Sequence, residues 1–289
     1  MSDSAILFDS SRCSACKGCQ IACKCWNLLP SPMEKDVQGF TGSYQSPSEL
    51  NGDTRLLIRF NEKKGGTKGV EWAFGRRSCM HCTNPACVTV CPTGTLSVDP
   101  STGFVVIHEE NCIGCKYCSA ACPFSVPHYH GTESKVNKCT ACIDRIEQGL
   151  TPACAKTCPP KALKFGDRDE MIAIAEERVE LLKSKGYDKA VAYGINELGG
   201  LHVITVAKYG LDAYGLPTDP KVSPLVGVLS FMKPLAGIGA AAIVAGLGIS
   251  FLTGIGYKRH KLHYDEVNHD VIDDDTGEIV KHIDDEGRD

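Results

Sequence analysis

The chain has 289 residues, a formal charge of −4, 43% hydrophobic content and 17 cysteines. That length holds one large domain or two small ones, and the apolar share suffices for a packed core. The charge balance gives no sign of nucleic-acid binding, and cysteines packed this tightly in so long a chain exclude a small disulfide scaffold.

In chain order, residues 1–8 lack the basic start and long apolar run of an export signal. The cysteines begin at once. Cys13, Cys16, Cys19 and Cys23 form C-x2-C-x2-C-x3-C, and Cys112, Cys115, Cys118 and Cys122 repeat it with Pro123 behind. Cys79, Cys82, Cys87 and Cys91 widen one gap to four residues, and Cys139, Cys142, Cys154 and Cys158 widen it to eleven. Pro92 and Pro159 follow these two runs. Thiolates are the soft ligands that iron–sulfur cores take, and this spacing is the bacterial ferredoxin run for [4Fe–4S] cubanes. Four runs predict four [4Fe–4S] clusters and an electron-carrying chain. Zinc suits C-x2-C pairs, but not three cysteines at two-residue gaps with a fourth and a proline behind.

In two-cluster ferredoxins the last cysteine of each run crosses to the other cluster. Runs two and three then form one unit, and runs one and four pair around it. The predicted sets are Cys13, Cys16, Cys19 and Cys158 (I); Cys79, Cys82, Cys87 and Cys122 (II); Cys112, Cys115, Cys118 and Cys91 (III); and Cys139, Cys142, Cys154 and Cys23 (IV). Cys25 lies two residues past Cys23 and off register. It reads as a free thiol, with a ligand role in place of Cys23 as the alternative. Lys17, Lys116 and Lys138 moderate cluster charge or sit at the surface.

The expected fold class is α+β: two nested ferredoxin-like units and one C-terminal transmembrane helix. Residues 1–23 and 124–232 form the unit of runs one and four. Residues 79–123 form the unit of runs two and three, with residues 24–78 as an insertion. Within that largely irregular insertion, residues 55–60 and 70–74 read as strands around Gly65-Gly66. Trp26, Trp72 and Phe74 read as core packing. Residues 96–98 and 104–107 read as a hairpin across Asp99-Pro100-Ser101-Thr102-Gly103. A helix follows from Asp167, a fair N-cap with Glu170 three residues on, to about Lys185, with Gly186 as the stop. Its core stripe is Ile172, Ala175, Val179 and Leu182. Residues 201–207 read as a strand in which His202 is structural.

Residues 234–256 carry no charge over 23 positions. A helix of that length spans ~34 Å, against ~30 Å of bilayer core. Ala242, Gly246, Ser250 and Gly254 recur every fourth residue, a small-residue stripe that lets another membrane helix approach. Lys258, Arg259, His260 and Lys261 follow, which predicts a cytoplasmic C-terminal end and a cluster domain on the outer face. Export would then depend on a signal-bearing partner. From Asp265 to Asp289 the net charge is −9, leaving +5 on the rest. Residues 257–289 read as a solvated acidic cytoplasmic tail or docking arm.

The four nested runs resemble the iron–sulfur electron-transfer subunits of the molybdopterin oxidoreductases over roughly residues 1–165. Gly199-Gly200-Leu201-His202-Val203, Gly215-Leu216-Pro217 and Lys233-Pro234-Leu235-Ala236 look like the beta subunit of membrane-bound respiratory formate dehydrogenase. Lys24-Cys25-Trp26-Asn27 is also similar, but Cys25 stands where relatives carry a different polar residue, and run one lacks the proline after Cys23. The resemblance implies a catalytic (alpha) subunit with molybdenum or tungsten on bis-pterin that oxidises formate, and a membrane cytochrome b (gamma) subunit leading to quinone. Runs one and four would face the catalytic subunit, and runs two and three the haem. This chain itself shows no catalytic residues. The competing readings are the same role in a membrane hydrogenase or polysulfide-type reductase, and a zinc-binding membrane scaffold.

Overall fold

The computed structural model describes residues 3–30, 43–65, 69–130, 134–224, 226–228, 243, 245–251 and 261–283. The chain divides into two compact units, residues 1–230 and 231–289. The architecture is α+β, as expected.

The first unit is framed by a four-stranded sheet in the order β8-β1-β10-β9. These strands are β1 (Ser4–Asp9), β8 (Leu163–Asp167), β9 (Val191–Tyr193) and β10 (Val203–Ala207). β1 runs parallel to β10 and antiparallel to β8. Sequence reasoning missed β1. Its continuous apolar run Ala5-Ile6-Leu7-Phe8 is that of a strand buried on both faces. Ala5 and Leu7 pack on helix α6 (Arg168–Ser184), while Ile6 and Phe8 join the core that contains the cysteines.

Helix α6 starts and stops as predicted. The Asp167 carboxylate accepts from the backbone N–H groups of Asp169 and Glu170, satisfying two otherwise unpaired donors. Gly186 adopts φ 86°, and the amides of Gly186 and Tyr187 bond back to Lys183 and Leu182, the pattern that closes helices in the left-handed region. Met171, Ala175, Val179 and Leu182 form the buried stripe. Ile172 is only partly buried, so the stripe begins one residue earlier than expected. Burial of Val179 and Leu182 stabilises by about 2 kcal/mol each.

The two strands expected in the inserted segment are present and longer than read, forming one hairpin, while residues 27–30 and 43–55 are irregular as expected. β2 (Leu56–Lys64) pairs with β3 (Val70–Ser78) from Leu56–Ser78 to Lys64–Val70. Leu56, Leu57 and Ile58 at its root are buried, and its distal end is exposed. Residue 66 of the expected Gly65-Gly66 turn lies outside the described residues. The predicted second hairpin is present as β4 (Leu96–Val98) and β5 (Val105–Ile107). A short pair not read from the sequence, β6 (His128–Tyr129) and β7 (Val136–Asn137), precedes the fourth run.

The second unit contains an antiparallel three-stranded meander: β11 (Leu262–Asp265), β12 (Asp270–Asp273) and β13 (Ile279–His282). The segment read as a solvated tail thus carries ordered strands. Val271-Ile272 and Ile279-Val280 supply the strand propensity. The β12–β13 turn uses Gly277 at φ 73° and the Asp273 carboxylate, which accepts from the amides of Asp275 and Thr276.

No helix among the described residues is long and apolar enough to cross a membrane. Most of the expected span at 234–256 lies outside the described residues. Residues 243 and 245–251 are described and helical, with Ile243, Leu247, Ile249 and Phe251 exposed.

Candidate metal centres

The four runs share one backbone device. The second residue after the first cysteine adopts positive φ in every run: Ala15 (54°), His81 (48°), Gly114 (70°) and Ala141 (55°). Non-glycine residues pay about 1–2 kcal/mol for that region. The turn aims an amide at sulfur: Ala15 N–H donates to Cys13 Sγ at 3.4 Å and Ala141 N–H to Cys139 Sγ at 3.3 Å.

Short helices follow and carry the later cysteines. α2 (Ala86–Thr89), α3 (Tyr117–Ala121) and α5 (Ala153–Lys156) end before Cys91-Pro92, Cys122-Pro123 and Cys158-Pro159. Proline disfavours helical geometry in the residue before it, so each run stops with its last thiol turned out of the helix. Run one has no such proline, and α1 (Gly18–Trp26) continues for nine residues. Two residues along a helix turn by ~200°. Cys23 is therefore buried and Cys25 exposed.

All sixteen run cysteines lie in described segments, and the fold gathers them into four neighbourhoods. Cys13, Cys16, Cys19 and Cys158 line one pocket, and Cys79, Cys82, Cys87 and Cys122 line another. Burial raises the Cys23 thiol well above its ordinary value, reinforced by Cys139, Cys154 and Cys142 from the fourth run. Burial also raises Cys118, whose electrostatic neighbours include Cys115 and Cys91. Val136 N–H donates to Cys112 Sγ at 3.3 Å on the same side. In each neighbourhood three thiols of one run meet the last thiol of another.

Electrostatic influence links the neighbourhoods in succession. Burial pushes Cys19 up to about 12, with Cys154 its strongest repelling neighbour, which joins the first set to the fourth. Cys79 has Cys139 beside it, joining the second set to the fourth. Burial and nearby thiols push Cys87 up to about 12, with Cys118 among them, joining the second set to the third. The order along the molecule is I, IV, II, III.

The donor chemistry fits [4Fe–4S] cores. Burial pushes Cys142 to about 12 and Cys154 to about 11, so these thiolates need strong cationic partners, which iron supplies. Cys91 differs: burial alone would raise it, but hydrogen bonds from the Leu96 amide and Thr93 hold it near 7. No three His, Cys, Asp or Glu side chains among the described residues converge closely enough for a single ion. The thiols surround pockets instead, a spacing that suits a multi-iron core with one ligand per corner.

Three polar residues outside the runs complete the surroundings. Lys138 is 2% exposed and donates to the carbonyls of Val105 at 2.5 Å and Cys139 at 2.9 Å. Its charge favours the thiolates of Cys79 and Cys87. Arg55 does the same for Cys23 and donates to Asn137 at 2.6 Å. Asn27 Nδ2 donates to the Cys23 carbonyl at 2.8 Å. A charged side chain just before a strand, as Arg55 stands before β2, was the available signal for that position.

Other expected side chains fall elsewhere. Trp26 and Trp72 are 43% and 52% exposed rather than core residues. Trp26 donates to Asp144 at 2.7 Å beneath the Arg145 guanidinium, while Trp72 packs edge-on to Phe74. Lys17 and Lys116 lie over the rings of Phe60 and Tyr129. His202 is structural: buried, its backbone N–H bonds the His81 carbonyl at 2.9 Å, and the same carbonyl lies 2.8 Å from Nδ1.

A family model described as a 4Fe-4S dicluster domain matches residues 70–168, which contain runs two to four. Over 269 residues the protein is 39% identical to the iron-sulfur subunit of the nitrate-inducible formate dehydrogenase of Escherichia coli (strain K12), covering 92% of this chain and 89% of that relative. It is 35% identical over 211 residues to formate dehydrogenase 2 subunit beta (cytochrome c-553) of Nitratidesulfovibrio vulgaris, covering 71% and 94%. Its 38% identity to the B polypeptide of the anaerobic dimethyl sulfoxide reductase of Escherichia coli (strain K12) runs over 165 residues, covering 56% and 73%. With its cysteine geometry and a likeness that spans nearly its whole length, the protein belongs to the [4Fe–4S] electron-transfer subunits of formate dehydrogenase.

Proposed function

We propose that the protein holds four [4Fe–4S] clusters in the crossed sets I to IV and conducts electrons singly in the order I, IV, II, III. When bound, each cluster supplies a one-electron redox centre. Formate oxidation in a molybdenum- or tungsten-bis-pterin catalytic subunit releases two electrons, which enter at set I and leave at set III to a membrane cytochrome b. The observation that carries this reading is the exposure of the run cysteines. Only Cys16 of set I and Cys115 of set III are exposed, and the other fourteen are buried or half-buried. The wire therefore has two accessible ends and an insulated middle. Beside Cys115, Ile113 and Tyr117 are also exposed, an apolar rim that suits a protein contact.

Residues 234–256 form the single transmembrane helix in this reading. The exposed Ile243, Leu247, Ile249 and Phe251 of its described part support burial in lipid. The cluster domain then faces the outside and residues 257–289 the cytoplasm. Formate is favoured over the reductase reading because similarity to the reductase polypeptide covers 56% of this chain, against 92% for the formate dehydrogenase subunit.

Purification of the native complex tests all parts together. The expected result is four cubanes' worth of iron and sulfide in this chain and a large subunit with molybdenum or tungsten. A nickel-containing large subunit would move the wire to a hydrogenase. Zinc without acid-labile sulfide would end the electron-transfer reading. Protease treatment of right-side-out vesicles should cleave the cluster domain, and protection would reverse the orientation.

A further inference from the structure

Arg76 is a buried cation with neither a carboxylate nor a hydrogen-bond partner among the described residues. It sits near the end of β3, opposite Ile58, at 8% exposure. Its Nε, Nη1 and Nη2 are all buried, and none has a hydrogen-bond partner among the described residues. No ion pair of Arg76 to a carboxylate occurs among the described residues either. Burying an unpaired guanidinium costs several kcal/mol, so the fold keeps it only against a negative charge that arrives later.

The thiols around it identify that charge. The Arg76 charge favours the thiolates of both Cys19, in set I, and Cys154, in set IV. These two cysteines are also each other's neighbours. The guanidinium therefore stands at the junction of two predicted cubanes. A four-thiolate [4Fe–4S] core is anionic and becomes more so on reduction. A fixed cation at low dielectric stabilises the reduced form more than the oxidised one, and charge near the cluster is one of the protein's controls on its potential.

We propose that Arg76 is a counter-cation shared by the clusters of sets I and IV, and that it raises the reduction potential of both. This role rests on the assignment of cubanes to these sets. Electrons then enter the wire across a pair of centres lifted together. Its charge also reaches the His81 ring between Cys79 and Cys82, but the thiols of set II answer chiefly to burial, to Lys138 and to one another. Arg76 acts through the clusters as a positioning charge and ligates nothing.

The test is redox potentiometry followed by EPR on the purified complex, with iron and sulfide measured in each sample. In Arg76→Gln, two of the four midpoint potentials should fall and two should stay, and Arg76→Lys should restore most of the loss. Full iron content with all midpoints unmoved would overturn the role while leaving the wire intact. An equal shift of all four would overturn it too, because the effect would not be local. Should Arg76→Gln lose iron, Arg76→Lys decides. Retained clusters at near-native potentials show that charge is required, whereas loss in both shows a packing role and refutes the proposal. Absence of iron from the wild-type protein would overturn the parent reading and this one with it.

Discussion

Cys23 and Cys25 stand two residues apart on helix α1, yet Cys23 is buried against the thiols of run four and Cys25 is exposed. The helix turn separates them. Cys23→Ser should therefore remove one cubane's share of iron and sulfide, and Cys25→Ser should remove none. Iron loss in Cys25→Ser with full content in Cys23→Ser would reverse the two roles.

Lys138 bonds two buried carbonyls, those of Val105 and Cys139, from a site that is 2% exposed. Lys138→Met keeps most of the volume but strands both acceptors and removes the cation beside Cys79. The loss should be about 3 kcal/mol, seen as a lower thermal midpoint and earlier release of iron on heating. An unchanged midpoint would show that the two carbonyls find other donors.

Gly52 sits where the loop before β2 docks on β6. A side-chain carbon there would fall 2.1 Å from the Tyr129 carbonyl oxygen, and backbone cannot yield easily. Tyr129 also meets Cys118 Sγ through its hydroxyl at 3.2 Å. Gly52→Ala should destabilise by about 3 kcal/mol and disturb the spectrum of set III before the others. Native stability in the variant would contradict the close approach.

Asp99 pins the β4–β5 turn, accepting from Ser101 Oγ at 2.6 Å, Thr102 N–H at 2.9 Å and Thr102 Oγ1 at 2.6 Å. Partial burial alone would raise its carboxyl, but these donors outweigh it and hold it below the ordinary value. A depressed carboxylate stabilises the fold above the unfolded-state value of about 4, and that stability fades as pH falls through the folded-state value. Asp99→Ala should cost about 1 kcal/mol at neutral pH. The thermal midpoints of variant and wild type should converge below pH ~4. A gap that stays constant with pH would assign the effect to the turn backbone instead.

Much of the molecule was readable locally. The β4–β5 hairpin, α6 with its Asp167 cap and Gly186 stop, and the β2–β3 strands depend on residues within a turn or two of each other. β1 was hidden because an apolar run of four has no period to read. The meander at 262–282 was hidden because its short apolar pairs, Val271-Ile272 and Ile279-Val280, are set among acidic residues that disfavour strands. The exposed Trp26 and Trp72 show the converse: residue type predicts burial poorly where Asp144, Arg145 or Phe74 offers a surface partner.

By itself the sequence determined which sixteen thiols act together in runs, because each run opens on two cysteines three residues apart and three of the four close on a proline. It also carried the membrane expectation and the family likeness. Tertiary structure alone decided the succession of the thiol neighbourhoods, I, IV, II, III, and the seating of Arg76, from an inserted hairpin, beside Cys19 and Cys154. β1 leads into run one and pairs antiparallel with β8, which follows run four; that pairing and the seating of the hairpin root bring residue 19 near residue 154. Long-range packing sets both, and local spacing carries no record of it.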